Sequence, residues 1–177
     1  MYGGEIEALS EVHEAHPTKN LYFTEQWVGA PGDFAGDVAW HNETLIIGAT
    51  RNWSKTVLEW NLAADEHQNP HTDRGGCDRC LGALTITGDS VVRHPAYYII
   101  AQASKFVPPG SVRMASTALE NLPNVAFKTP DGALVTILQN KEATTKTIEI
   151  QLGETAVFVE MPAKSIGTLV YKDPNES

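Results

Sequence analysis

The sequence predicts an α/β body followed by an all-β module, and three observations carry that prediction. Apolar residues recur at helical spacing in segments that alternate with bulky, β-favouring runs as far as Phe106. From Ser111 onward, five short β-rich runs are separated by turn signals, the spacing of an antiparallel sandwich. Hydrophobic residues make up 42% of the 177, the content of a globular chain rather than a disordered one.

In "GGEIEALSEVHEAHP", Ile6, Leu9, Val12 and Ala15 fall at helical spacing with glutamates between them, which predicts an amphipathic helix ended by Pro17. "NLYFTEQW" reads as a strand, with Asn20 before it and "GAPGD" after it as breakers. Strand alternation places Phe23, Glu25 and Trp27 on one face. An unpaired buried carboxylate costs several kcal/mol, so Glu25 must reach solvent, find a partner or do chemistry. Asp33 suits the N-cap of a second helix whose stripe is Phe34, Val38, His41 and Leu45. A second strand is expected at residues 56 to 62, in "TVLEWNLA", again with a single acid, Glu59.

The polar segment "ADEHQNPHTDRGGCDRCLG" is longer than a plain connection needs, and loops of that length usually carry function. "ALTITGDSVVR" predicts a small hairpin. A third helix begins at Pro95, with Tyr97, Ile100, Ala101, Ser104 and Phe106 at helical spacing, and stops at "VPPG". The sandwich runs are "SVRMAST", "NVAFKTPDGALVTILQN", "TKTIEIQL", "TAVFVEMP" and "SIGTLVYK", with Pro130, Asp131 and Gly132 as a turn. The domain division expected is therefore 1–107 and 108–177.

Lys and Arg number 13 against 22 Asp and Glu, a formal net charge of -9, which argues against nucleic acid or an anionic membrane surface as partner and leaves neutral ligands open. The apolar stretches fall far short of the ~20 residues of a membrane span. Two strands cannot close a sheet over their own core, so the simplest expectation is the C-terminal portion of a longer protein. Cys77 and Cys80 form a lone C-x-x-C. A zinc site would need a second ligand pair, for which only His67 and His71 stand nearby, and a thioredoxin-type motif would open a helix after a strand. The sequons at Asn42, Asn52 and Asn175 read as chance occurrences.

Taken together, "LYFTEQW", "TVLEWNLA", "HPAYYIIAQASKFVPPGSVR" and "NVAFKTPDGALVTILQN" resemble the C-terminal portion of glycoside hydrolase family 30, the group of lysosomal-type glucosylceramidases and of bacterial and fungal β-glucanases. The resemblance implies the end of a (β/α)₈ TIM barrel, its seventh and eighth strands at residues 21–27 and 56–62, followed by a β-sandwich. It implies a retaining β-glycosidase acting on carbohydrate or glycolipid without cofactor or metal, in carbohydrate or sphingolipid metabolism. Glu25 matches the family nucleophile and Trp60 a tryptophan lining the sugar subsite; Gln26, Trp27, Glu59 and Asn61 adjoin them. The long loop would overhang the cleft, where Asp73 or Asp78 could meet sugar.

Retention needs a second carboxyl ~5 Å from the first. The family's Asn-Glu-Pro segment has no match here, because Asn42-Glu43 is followed by Thr44 and Asn175-Glu176 lies in the tail. The acid/base is thus expected in a missing N-terminal part of the same barrel, and the isolated chain is expected to be inactive. An enzyme class acting outside the cytoplasm implies a secreted or periplasmic protein and a Cys77–Cys80 loop disulfide. The Gly-Gly-Cys-Asp-Arg-Cys loop departs from the lysosomal enzymes and favours a bacterial glucanase or glucosidase. The alternative reading is a non-catalytic carbohydrate-binding or structural sandwich module.

Overall fold

A computed structural model describes residues 4–172; Asn175 and Glu176 lie outside the described residues. The chain forms two compact units, Met1–Ser104 and Lys105–Ser177. The division falls three residues before the one expected after 107, because the last helix of the first unit ends at Ser104 and leaves Phe106 outside it.

The first unit begins with α1 (Ala8–Ala15) and β1 (Leu21–Gly29). α2 (Phe34–His41) runs directly into a π-helical stretch, Asn42–Ala49. Asp33 holds the N-cap position, but its side chain makes no cap bond; Asp37 Oδ2 instead accepts the Asp33 N–H at 3.0 Å. Of the expected stripe, His41 and Leu45 are buried whereas Phe34 is exposed. The widened turns bury Leu45, Ile46 and Ile47 in succession, so this segment is packed on more than one side.

β2 (Ser54–Trp60) starts and stops two residues earlier than expected. The cause is a change of partner: the Asn61 and Leu62 carbonyls accept from Ala83 and Leu84, which carries the chain away from β1. β1 and β2 are parallel, joined by the helical crossover. Their register is Leu21↔Ser54, Phe23↔Val57, Gln26↔Glu59 and Trp27↔Trp60. Between Phe23 and Gln26, β1 advances three residues while β2 advances two, from Val57 to Glu59. That bulge places Phe23 and Gln26 on the side of Val57 and Glu59, and Trp27 on the side of Trp60. The expected common face holds for Phe23 and Glu25, since burial alternates without a break from Leu21 to Glu25; the irregularity before Gln26 interrupts strict alternation on the way to Trp27.

Short strands follow: β3 (Ala63–Ala64), β4 (Cys80–Leu81), β5 (Leu84–Thr87) and β6 (Ser90–Arg93). β4 pairs antiparallel with the end of β1 through Val28↔Leu81 and Gly29↔Cys80. β5 and β6 form the expected hairpin, turning at Gly88 with φ 56°. α3 (Pro95–Ser104) starts at Pro95 but buries Ala96 and Ile99 rather than the expected Tyr97 stripe. Small Ala96 permits close helix approach, whereas Tyr97 and Tyr98 keep their phenol ends in water.

In the second unit, β7 (Val112–Met114), β8 (Asn124–Lys128), β9 (Leu134–Gln139) and β12 (Ile166–Tyr171) form an antiparallel sheet in the order β12-β9-β8-β7. β10 (Lys146–Leu152) and β11 (Thr155–Met161) form a separate hairpin. Leu138 of the sheet packs with Ile148 and Met161 of the hairpin, flanked by Leu122, Ile150 and Leu169, which is the apolar filling of a sandwich. Fully buried Asn140 donates to the carbonyls of Thr144, Met161 and Pro162, replacing ladder bonds where the chain leaves β9.

Candidate active site

The C-terminal ends of β1 and β2 bring the chemically equipped side chains together. Glu25 is half-buried, and among the described residues its carboxylate takes part in no hydrogen bond or ion pair. Trp27 and Trp60 are register partners across the strand pair, and Trp60 is 39% exposed. The Trp27 ring lies over Gly29, where an added Cβ would come 2.6 Å from Trp27 Cζ3, so only glycine admits this ring position.

The neighbours divide between the two faces. Gln26 Oε1 accepts its neighbour's N–H, that of Trp27, at 3.0 Å and so folds back on its own strand. Glu59 turns to the helix side, where its side chain is 3% exposed and Oε1 sits 2.7 Å from Nδ1 of buried His41. Its Oε2 has no hydrogen-bond partner among the described residues. Asn61 Oδ1 is buried without a hydrogen bond among the described residues, and the Trp60–Asn61 peptide is cis.

The long loop is structured. Asp65 accepts from His67 N, Asn69 N and Asn69 Nδ2, and the Asn69 bonds hold its carboxyl below the usual carboxylate range. Cys77 and Cys80 are joined, S–S 2.09 Å, and between them Asp78 and Arg79 are exposed. Arg79 Cζ stands 5.3 Å from the Trp27 ring centroid. Asp73 is likewise exposed in the loop. Among the described residues, no group of three or more His, Cys, Asp and Glu side chains gathers as a metal site requires. Asn42 is fully buried, and Asn52 is engaged with Gly48 O and Ser10 Oγ, so neither sequon offers an open amide.

His41 was legible only as part of a helical stripe, and Arg79 only as an intervening residue of the C-x-x-C. The bridge itself was the available signal, since a disulfide closing a loop with only two residues between the cysteines fixes the backbone that carries them. The two strands thus carry an unengaged carboxylate, Glu25, and an exposed aromatic side chain, Trp60.

Residues 110–169 match the glycosyl hydrolase family 30 beta sandwich domain. An endo-1,6-beta-D-glucanase of Aspergillus fumigatus, neg1, is 32% identical over 139 residues, covering 75% of this chain and 27% of that protein. The mouse lysosomal acid glucosylceramidase is 26% identical over 178 residues, 93% of this chain and 33% of that one. Among solved structures, the endo-beta1,6-glucanase BT3312 superposes with a TM-score of 0.89 at 33% identity, over 97% of this chain and 40% of that chain. The chain thus spans about a quarter to two fifths of the proteins it matches.

Proposed function

From the premise that this chain belongs to glycoside hydrolase family 30, we propose that it is the C-terminal part of a retaining β-glycosidase in which Glu25 is the nucleophile. The observation that carries this reading is a half-buried carboxylate without any partner among the described residues, in the C-terminal five residues of β1 (Leu21–Gly29) and two residues before Trp27, the register partner of Trp60 in the parallel strand. Active sites of (β/α)₈ barrels lie at that end of the strands, and β1 and β2 are read here as the seventh and eighth. Exposed Tyr22, Leu58 and Leu62, the last 78% open, support further barrel strands in the complete protein.

Glu25 attacks the anomeric carbon as the glycosidic C–O bond breaks, giving a glycosyl ester that water then hydrolyses. A second carboxyl protonates the leaving oxygen and later deprotonates that water; it comes from outside these residues, since Glu59 is turned away and held by His41. Trp60 forms the aromatic wall against the sugar ring, and Trp27, held between Arg79 and Gly29, presents its edge. The substrate class is a 1,6-linked β-glucan, favoured over glucosylceramide by the name of the Aspergillus fumigatus relative, which is more similar to this chain than the mouse glucosylceramidase is. Secretion or periplasmic location is supported by the Cys77–Cys80 bridge.

Treating the complete protein with a mechanism-based fluoro-glucoside and mapping the labelled peptide tests the reading. The label is expected on Glu25; a label on another residue overturns the assignment. A protein that binds glucan yet takes no label would be the non-catalytic module instead.

A further inference from the structure

The segment around the disulfide is tied to both strand ends that frame Glu25. Leu81 and Cys80 pair with Val28 and Gly29. The Ala30 N–H donates to Arg79 O at 2.7 Å, and the Ala83 N–H donates to Asn61 O at 2.7 Å. Cys80 is buried, and its bond to Cys77 closes the turn that carries Asp78 and Arg79. The Arg79 side chain lies over the Trp27 ring, 5.3 Å from the centroid, while Gly29 leaves room for that ring beneath.

What the guanidinium does not do is equally informative. Among the described residues it makes no hydrogen bond and no ion pair, so its five N–H donors are all open, and a guanidinium has no acceptor to offer. Asp78, adjacent in the chain, does not engage it. An arginine with a merely structural role would spend some donors on carbonyls or carboxylates. This one presents a fork of donors at an aromatic ring two residues along β1 from an unengaged carboxylate, the complement of sugar hydroxyl oxygens.

We propose that Arg79 is a sugar-contacting, specificity-determining residue of the Glu25 site: it donates from above Trp27 to hydroxyl oxygens of a neutral glucan bound there, and the Cys77–Cys80 bridge fixes it in that position. The proposal rests on the reading of this end of the strands as the sugar site. It adds that reducing the bridge weakens substrate binding without touching the nucleophile.

The test separates binding from chemistry. In the complete protein carrying Glu25→Gln, calorimetry with a 1,6-linked β-glucotriose is expected to give a Kd about 5- to 20-fold weaker for Arg79→Ala, the loss of one or two charge-assisted hydrogen bonds. Arg79→Lys should recover part of that loss, because the charge is kept and the fork is not. The Cys77→Ser, Cys80→Ser protein, and the parent under reductant, should share the weakening. In the active enzyme, Arg79→Ala should raise KM by a similar factor with kcat within about twofold. An unchanged Kd, or a fall in kcat and thermal stability with KM constant, overturns the role of Arg79. Weakened binding in a protein whose Glu25 takes no fluoro-glucoside label keeps Arg79 and overturns the nucleophile reading instead. Absence of glucan binding in every version overturns both.

Discussion

The imidazole Nδ1 of His41 lies 2.7 Å from the carboxylate Oε1 of Glu59, with the two side chains only 6% and 3% exposed. The pair joins the crossover helix to β2 directly beneath the strand end that carries Trp60. Removing one partner leaves the other buried and uncompensated. His41→Leu is therefore expected to cost about 3–5 kcal/mol of stability in the complete protein. Adding Glu59→Met should recover most of it, since an apolar pair of similar volume has no desolvation penalty to offset. Urea unfolding of both proteins checks this; a double variant as unstable as the single one would refute it.

Glu25→Gln in the complete protein should abolish turnover while leaving the urea midpoint unchanged, because no described residue depends on the carboxylate for a hydrogen bond. A Glu25→Gln protein retaining more than a small fraction of parent activity would exclude Glu25 as nucleophile.

The 177 residues alone should hydrolyse an unactivated glucose disaccharide far more slowly than the complete protein. Without an acid, the alkoxide departs unaided, a loss of about 10²- to 10⁴-fold. An aryl β-glucoside needs less acid help and narrows the gap. Parent-like rates on the disaccharide would mean that an acid/base lies within this chain.

Gly82 has no room for a side chain. A Cβ there would stand 2.7 Å from Asn61 Oδ1 and 2.8 Å from both Ala64 N and Leu84 O, two of which are backbone atoms. Gly82→Ala should destabilise by about 1–3 kcal/mol, as overpacking does. It should also lower substrate affinity, since the strained segment is continuous with Cys80 and Leu81. Thermal unfolding and KM report the two effects; an unaltered protein would contradict the close packing.

In the sandwich, Lys172 Nζ donates to Asp131 Oδ2 at 2.6 Å and Thr129 Oγ1 to Oδ1 at 2.5 Å, which together hold the Asp131 carboxyl down at about 2. A carboxyl lowered on folding stabilises most above its unfolded value of about 3.9. That contribution disappears as pH falls through about 2. Lys172→Met should raise the Asp131 pKa towards the ordinary range, read by NMR titration of its carboxyl carbon, and an unmoved titration would refute the pairing. At neutral pH stability should hardly change, because both side chains are exposed.

The sequence by itself determined the order of elements and the types of residue at the strand ends. Alternating helical and strand periods, breakers such as Pro17 and Pro130-Asp131-Gly132, and a lone acid in "LYFTEQW" were all local patterns, and local patterns need no partner strand to be read. The tertiary structure decided which way those residues face. The bulge between Phe23 and Gln26 sets Gln26 against Glu59 and Trp27 against Trp60, and a bulge is a property of two strands in register that one strand's alternation does not contain. Glu59 looked equivalent to Glu25 in sequence, yet His41, 18 positions away, buries and engages it. Arg79 became part of the site only when Leu81 and Cys80 paired with Val28 and Gly29, drawing together segments about fifty residues apart by contacts that cost chain entropy and leave no periodic trace.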